Sequence, residues 1–167
     1  MSAIVVFGSR YGSTKSYAEE FVRRHSLDAI SFDEVSDLSN YDTIIYFGGL
    51  YAANVYGLKK TMKLIQSDQR LIIVTVGLND PDIPKNAEYT EKNIRQILPN
   101  PLNDNAEIYQ LRGAIDYKNL KPLHRIMMYF IYLKAKSDDT EESRQMVDTY
   151  GDMLSFVDFS TLDKIQY

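Results

Sequence analysis

Ala3-Ile4-Val5-Val6-Phe7-Gly8, running into Ser9-Arg10-Tyr11-Gly12-Ser13-Thr14, decides how the rest of the chain is read. The first part is short, apolar and rich in Val and Ile, as suits a strand buried on both faces. A helical pattern follows from about Ser13 to His25, with Tyr17, Ala18, Phe21 and Val22 on one face. Where a buried strand turns into a helix, the first helical N–H groups lack partners. The helix dipole adds about half a positive charge there, so the junction attracts an anion. Ser9, Ser13 and Thr14 bring hydroxyls, Arg10 and Lys15 bring charge, and Gly12 allows a positive φ or a close approach. A plain turn capping a helix uses the same residue types.

Two familiar phosphate loops fail by count. Starting the P-loop pattern at Gly8 puts Ser13 where the second glycine belongs, and Gly8 to Gly12 does not give the dinucleotide spacing G-x-G-x-x-G. The remaining Ser/Thr-x-x-Gly-x-Thr pattern at the first strand end resembles the FMN-phosphate loop of flavodoxins.

Composition narrows the chemistry. At 167 residues, a single domain over 1–167 is expected. The net charge of −4 gives no general case for nucleic acid. Without Cys there is no disulfide or thiolate site, and His25 and His124 lack metal-ligand spacing, so no metal is expected. Redox chemistry would need a bound organic cofactor. No signal-peptide pattern and no run near the roughly 20 apolar residues of a membrane span stand out, so a cytoplasmic location is expected.

Four more strands follow. Leu27 to Phe32 suits a short edge strand, and Asp33 to Tyr41 a turn or short helix. Thr43-Ile44-Ile45-Tyr46-Phe47 is the third strand, ended by Gly48-Gly49, and Leu58, Met62 and Ile65 mark a helix face. Leu71 to Val76 is the strongest strand; Ile94, Ile97 and Leu98 predict a helix ended by Pro99; Glu107 to Leu111 is the fifth strand, closed by Gly113. Strands alternating with helices predict an α/β fold: a doubly wound, flavodoxin-like, five-stranded parallel sheet of order 2-1-3-4-5. Ligands of such sheets bind outside the carboxyl ends of the strands.

The loops after the first, third, fourth and fifth strands, residues 9–14, 48–57, 77–85 and 113–118, are therefore expected at the binding edge. Besides residues 9–14, Gly49, Leu50, Tyr51, Ala52, Ala53 and Asn54 follow the third strand, and Gly77, Leu78, Asn79 and Asp80 follow the fourth. A flat tricyclic ring needs an aromatic face and room beside it, which Tyr51 and its small neighbours supply. The same glycines and alanines also suit a tight strand-to-helix turn. Asn79 and Asp80 suit either polar contacts to a heterocycle or an Asx turn before Pro81.

With these loops in place, the chain resembles a flavodoxin-domain protein over nearly its whole length. It is most similar to the menaquinone-dependent protoporphyrinogen dehydrogenase branch. The stretches that carry this are Ser9–Thr14, at Arg10, Gly12 and Thr14; Asn40-Tyr41-Asp42 leading to the third strand; and Gly113-Ala114-Ile115-Asp116-Tyr117 with the inserted segment after it. The resemblance implies non-covalent FMN, held by Ser9, Arg10, Tyr11, Gly12, Ser13 and Thr14 at the phosphate and by residues 49–54 and 77–80 at the ring. For that branch it implies hydrogen removal from a porphyrinogen, with electrons passed to quinone. Leu50-Tyr51-Ala52-Ala53-Asn54 is less basic than that branch implies, and Tyr11 stands where an acid is expected. A plain electron carrier docking a reductase is the rival reading. No catalytic residue is assigned; Asp116 and Tyr117 are positional candidates only.

The insertion, about 115–137, is expected to form a helical segment. Lys118, Lys121, Arg125, Lys134 and Lys136 surround Ile126-Met127-Met128-Tyr129-Phe130-Ile131-Tyr132-Leu133, which is apolar all round if helical. Such a helix is buried or meets a partner or lipid. Packing into the core is one reading, slightly the stronger; peripheral contact of residues 118–136 with the inner face of the membrane, or with quinone, is the other. Met146, Val147, Tyr150, Met153 and Leu154 predict a last amphipathic helix that closes the sheet.

Overall fold

The computed structural model describes residues 2–167. The chain forms two compact units: one of Met1–Gly113 with Val157–Tyr167, the other of Ala114–Phe156.

In the first unit, β1 (Ala3–Gly8), β2 (Asp28–Ser31), β3 (Thr43–Tyr51), β5 (Arg70–Gly77) and β6 (Glu107–Arg112) pair in parallel, in the order β2-β1-β3-β5-β6. Numbered by parallel strands alone, this is the expected 2-1-3-4-5. The extra strand is β4 (Asn54–Val55), antiparallel to the end of β3. Residue alternation explains the layers. Ile4, Val6, Ile44 and Ile73 point to a core shared with Leu58, Ile94 and Leu98. Val5, Ile45, Ile72 and Val74 point to the opposite core, shared with Tyr17, Ala18 and Phe21 of α1 (Ser13–His25). Both faces are thus covered, as parallel sheets require.

The other helices of this unit are α2 (Leu58–Thr61), continued by a 3-10 turn to Leu64, α3 (Pro84–Arg95), which stops before the expected Pro99, and the short α4 (Leu102–Asn105). Gly48 and Gly49 do not end the third strand as expected. Both stay in register with β5, and β3 runs on to Tyr51 because β4 folds back on it.

In the second unit, β7 (Ala114–Asp116) pairs antiparallel with β8 (Met153–Ser155) around α5 (Pro122–Ala135) and α6 (Glu141–Asp148). This corrects the expected last helix. α6 stops at Asp148, Gly151 takes a φ of 96°, and Met153 and Leu154 enter a strand. In the sheet unit, the C-terminal 3-10 turn at Phe159–Lys164 instead buries Leu162 beside α1, with Ile165 just after it.

Candidate functional site

The strand-to-helix junction at the carboxyl end of β1 has the expected form. Gly12 precedes α1 with φ 102°, and no side chain caps the helix. A side chain at Gly12 would meet nothing within 4 Å, so glycine is required there by its backbone angle rather than by crowding. The Ser9 hydroxyl accepts the Gly12 N–H at 3.2 Å, which commits it to shaping the turn. Ser13 is half-buried and Thr14 buried. Tyr17, one turn on, is fully buried; its hydroxyl donates to the Arg112 carbonyl at 2.8 Å and accepts the Asp158 N–H at 2.8 Å. These bonds fix the start of α1 against the end of β6.

The second loop is a β-hairpin turn. Tyr51 pairs with Asn54, and Ala52 and Ala53 between them have φ 49° and 64°. Two positive angles in a two-residue connection make a type I′ turn, usually built from Asn-Gly; alanine holds it at a cost. The Asn54 side-chain amide donates to the Ala52 carbonyl at 3.2 Å, so it supports the turn.

The structure brings the first and second loops together. The Tyr51 hydroxyl accepts the Arg10 N–H at 3.2 Å, and the Tyr11 and Tyr51 rings meet edge to face at 5.9 Å. The Arg10 guanidinium carbon lies 4.3 Å from the Tyr56 ring centroid, a cation–π distance. Burial pushes the Tyr51 phenol's pKa up, against the pull of the Arg10 N–H.

The third loop adjoins both. A side chain on Gly77 would sit 3.3 Å from Leu50 Cβ. The Gly113 N–H donates to the Gly77 carbonyl at 2.7 Å, and a side chain on Gly113 would come within 3.1 Å of Ser13 Oγ. Asp80 accepts from the Asp82 N–H at 2.9 Å, as an Asx turn does, and Asn79 is exposed. Leu78 holds its place through its carbonyl, which accepts from Arg112 at 3.3 Å.

Two residues at this edge escaped the sequence reading. Tyr56 is the other tyrosine of the loop after the third strand, where the sequence points only to Tyr51 for the ring face, yet it is Tyr56 that carries the Arg10 side chain. Arg112, which also reaches the Asp80 carboxylate at 3.5 Å, reads from sequence as an ordinary strand-end cation. The positional candidates serve the second unit. Asp116 accepts the Lys118 N–H at 3.0 Å and the Asn119 amide at 2.6 Å, while Tyr117 is buried with its ring 5.0 Å from Tyr150. Among the described residues, no group of His, Asp or Glu could hold a metal ion, and no helix is long and apolar enough to cross a membrane.

A doubly wound parallel sheet, with an uncapped helix start and loop aromatics at its carboxyl edge, defines an α/β protein of the flavodoxin-like class. The chain belongs to the flavodoxin-domain family, whose sequence model matches residues 4–143. No curated protein matches it. Among solved structures it is similar to a flavoprotein candidate from Bacteroides eggerthii, at 9% identity, TM-score 0.51, covering 66% of this chain and 87% of that one. A flavodoxin from the domain Archaea aligns at 19% identity and TM-score 0.42, covering 68% and 85%. A flavoprotein in complex with FMN from Lactobacillus acidophilus aligns at 11% identity and TM-score 0.46, covering 66% and 91%.

Proposed function

We propose that this chain binds FMN non-covalently and works as an oxidoreductase. The observation that carries this reading is the uncapped start of α1, with Arg10 beside it, in a chain of the flavodoxin-domain family. An uncapped helix start suits a phosphate group, since its N–H groups and dipole favour an anion. The first turn of α1, with the Ser13 and Thr14 hydroxyls and the Arg10 charge, holds the phosphate. Gly49 to Asn54 and Gly77 to Asp80 flank the ring. FMN supplies one- or two-electron chemistry when bound; the protein supplies position, charge and exclusion of water.

The Arg10 N–H, taken by the Tyr51 hydroxyl here, becomes a phosphate donor only if that bond opens. The electron partner is a reductase or a quinone. The dehydrogenation of a porphyrinogen is the more specific reading; its support is the Gly113–Tyr117 stretch and the unit that follows it. A plain electron carrier has no need of that unit.

The test is titration of the purified chain with FMN and with riboflavin. Ser13→Ala with Thr14→Ala removes two hydroxyl bonds to a charged group, each worth roughly 1.5–3 kcal/mol. FMN affinity is expected to fall more than tenfold and riboflavin affinity much less. Equal losses for the two ligands would refute the phosphate site, and a chain that binds neither flavin would refute the reading altogether.

A further inference from the structure

The second unit carries a surface that the flavin reading does not use. α5 has two apolar faces. Met128 and Ala135 are buried on one, with Tyr132 stacked on Tyr150 at 4.3 Å. On the opposite side, Leu123, Ile126, Phe130 and Leu133 follow the spacing i, i+3, i+7, i+10, which aligns them in one stripe. They are exposed: 74% for Leu123, 55% for Ile126 and 64% for Phe130. Four large apolar side chains in line on a helix surface mark an interaction site rather than scattered surface hydrophobes.

Charge selects the occupant. The chain has a net charge of −4, yet residues 118–136 hold Lys118, Lys121, Arg125, Lys134 and Lys136 and no acid. Lys118, Lys121, Lys134 and Lys136 flank the stripe at its two ends, while Arg125 lies off the stripe and donates to the Lys118 carbonyl at 3.2 Å. A second copy of the chain would set this positive segment against itself, so self-association through the stripe is opposed. An anionic lipid surface satisfies both properties, taking the apolar side chains below its headgroups and the lysines at them. At 14 residues the helix is about 21 Å long, too short to cross a bilayer and suited to lying in its surface.

We infer that α5 is an interfacial helix that docks the protein on anionic membrane surfaces through Leu123, Ile126, Phe130 and Leu133, with the flanking basic residues at the lipid headgroups. The inference stands apart from flavin binding, so either can fail alone.

The chain contains no Trp, which allows a direct test. Phe130→Trp places the sole indole on the stripe, and Tyr89→Trp places one on α3, where Tyr89 is 58% exposed. With vesicles of phosphatidylcholine and phosphatidylglycerol, Phe130→Trp emission shifts to the blue and Tyr89→Trp emission does not. The unaltered full chain floats with these vesicles at low salt, is released by high salt, and floats far less with phosphatidylcholine alone. Ile126→Ser with Phe130→Ser lowers vesicle affinity about tenfold or more without changing the far-UV circular dichroism. Separately, Lys118→Gln with Lys134→Gln, which leaves the apolar stripe intact, weakens the salt dependence. Any of four results overturns the inference: no flotation with either vesicle; equal flotation with both; serine substitutions that keep the fold and leave binding unchanged; or an emission shift that follows protein concentration without lipid, which would assign the stripe to a second copy.

Discussion

β3 and α5 have similar stretches of sequence and opposite fates. Ile44, Ile45, Tyr46 and Phe47 are fully buried because successive strand residues face opposite ways and a helical layer covers each side. Ile126 to Leu133 is just as apolar, but within its unit α5 packs mainly on α6, and Ile126, Tyr129, Phe130, Ile131 and Leu133 stay exposed. An apolar run therefore reports a demand for cover, while the number of neighbours the topology supplies decides whether that demand is met inside the protein. In β3 the apolar residues stabilise the fold. In α5 the outer ones cost solvation and are available for recognition.

The sharpest way to break this comparison is to truncate a phenylalanine in each region. Phe47→Ala, in the second core beside Phe21, is expected to cost about 3–5 kcal/mol, seen as a lower denaturant midpoint at an unchanged slope. Phe130→Ala, on the exposed stripe, is expected within about ±0.5 kcal/mol of the parent. A large loss at Phe130 would mean that α5 is covered after all.

A smaller effect separates backbone need from site need. Gly12 and Gly151 both have positive φ, at 102° and 96°, and a methyl group added to either would meet no atom within 4 Å. Alanine at either is expected to cost about 1–2 kcal/mol of stability, from backbone strain alone. Only Gly12→Ala is expected to weaken FMN binding as well, because only Gly12 shapes the helix start. Isothermal titration alongside chemical unfolding reads the two effects separately.

The last expected effect, absent at neutral pH, is a pH dependence in the second unit. Burial, with the neighbouring Tyr150, pushes the Tyr117 phenol from 10.0 up to about 12. The folded state therefore holds the proton more tightly than the unfolded state. The stabilising contribution is complete below pH 10 and is lost as pH rises towards about 12. Burial also holds back the Tyr46 and Tyr51 phenols, so phenolate absorbance should show several tyrosines titrating late in the folded chain, with one fewer in Tyr117→Phe. Loss of stability below pH 10 in the parent but not in that variant would contradict the burial of Tyr117.

The central parallel strands β1, β3 and β5 were legible because each buries both faces and so appears as an apolar run; the first turn of α1 was legible because glycine and hydroxyls punctuate it. The hairpin at Ala52-Ala53 was not legible. Its residues disfavour the positive angles they adopt, and the pairing of β4 with the end of β3, with the Asn54 amide on the Ala52 carbonyl, holds them there. The strand at Met153 and Leu154 was hidden for a related reason. Met146, Val147, Tyr150, Met153 and Leu154 keep helical spacing, but Gly151 interrupts the helix and β7 offers Met153–Ser155 a partner.

By itself, the sequence determined what the chain must bury and where it must turn: the apolar central strands, the amphipathic α1, and its glycine-bearing, hydroxyl-rich start. These follow from local periodicity and backbone freedom, which nearby residues fix. The tertiary structure decided what meets what. It placed the Tyr51 hydroxyl on the Arg10 N–H and the Arg10 side chain over Tyr56, set Gly113 against Gly77, and left one face of α5 bare. Each of these depends on residues distant in sequence, or on the absence of a covering neighbour, and periodicity within a segment carries no information about either.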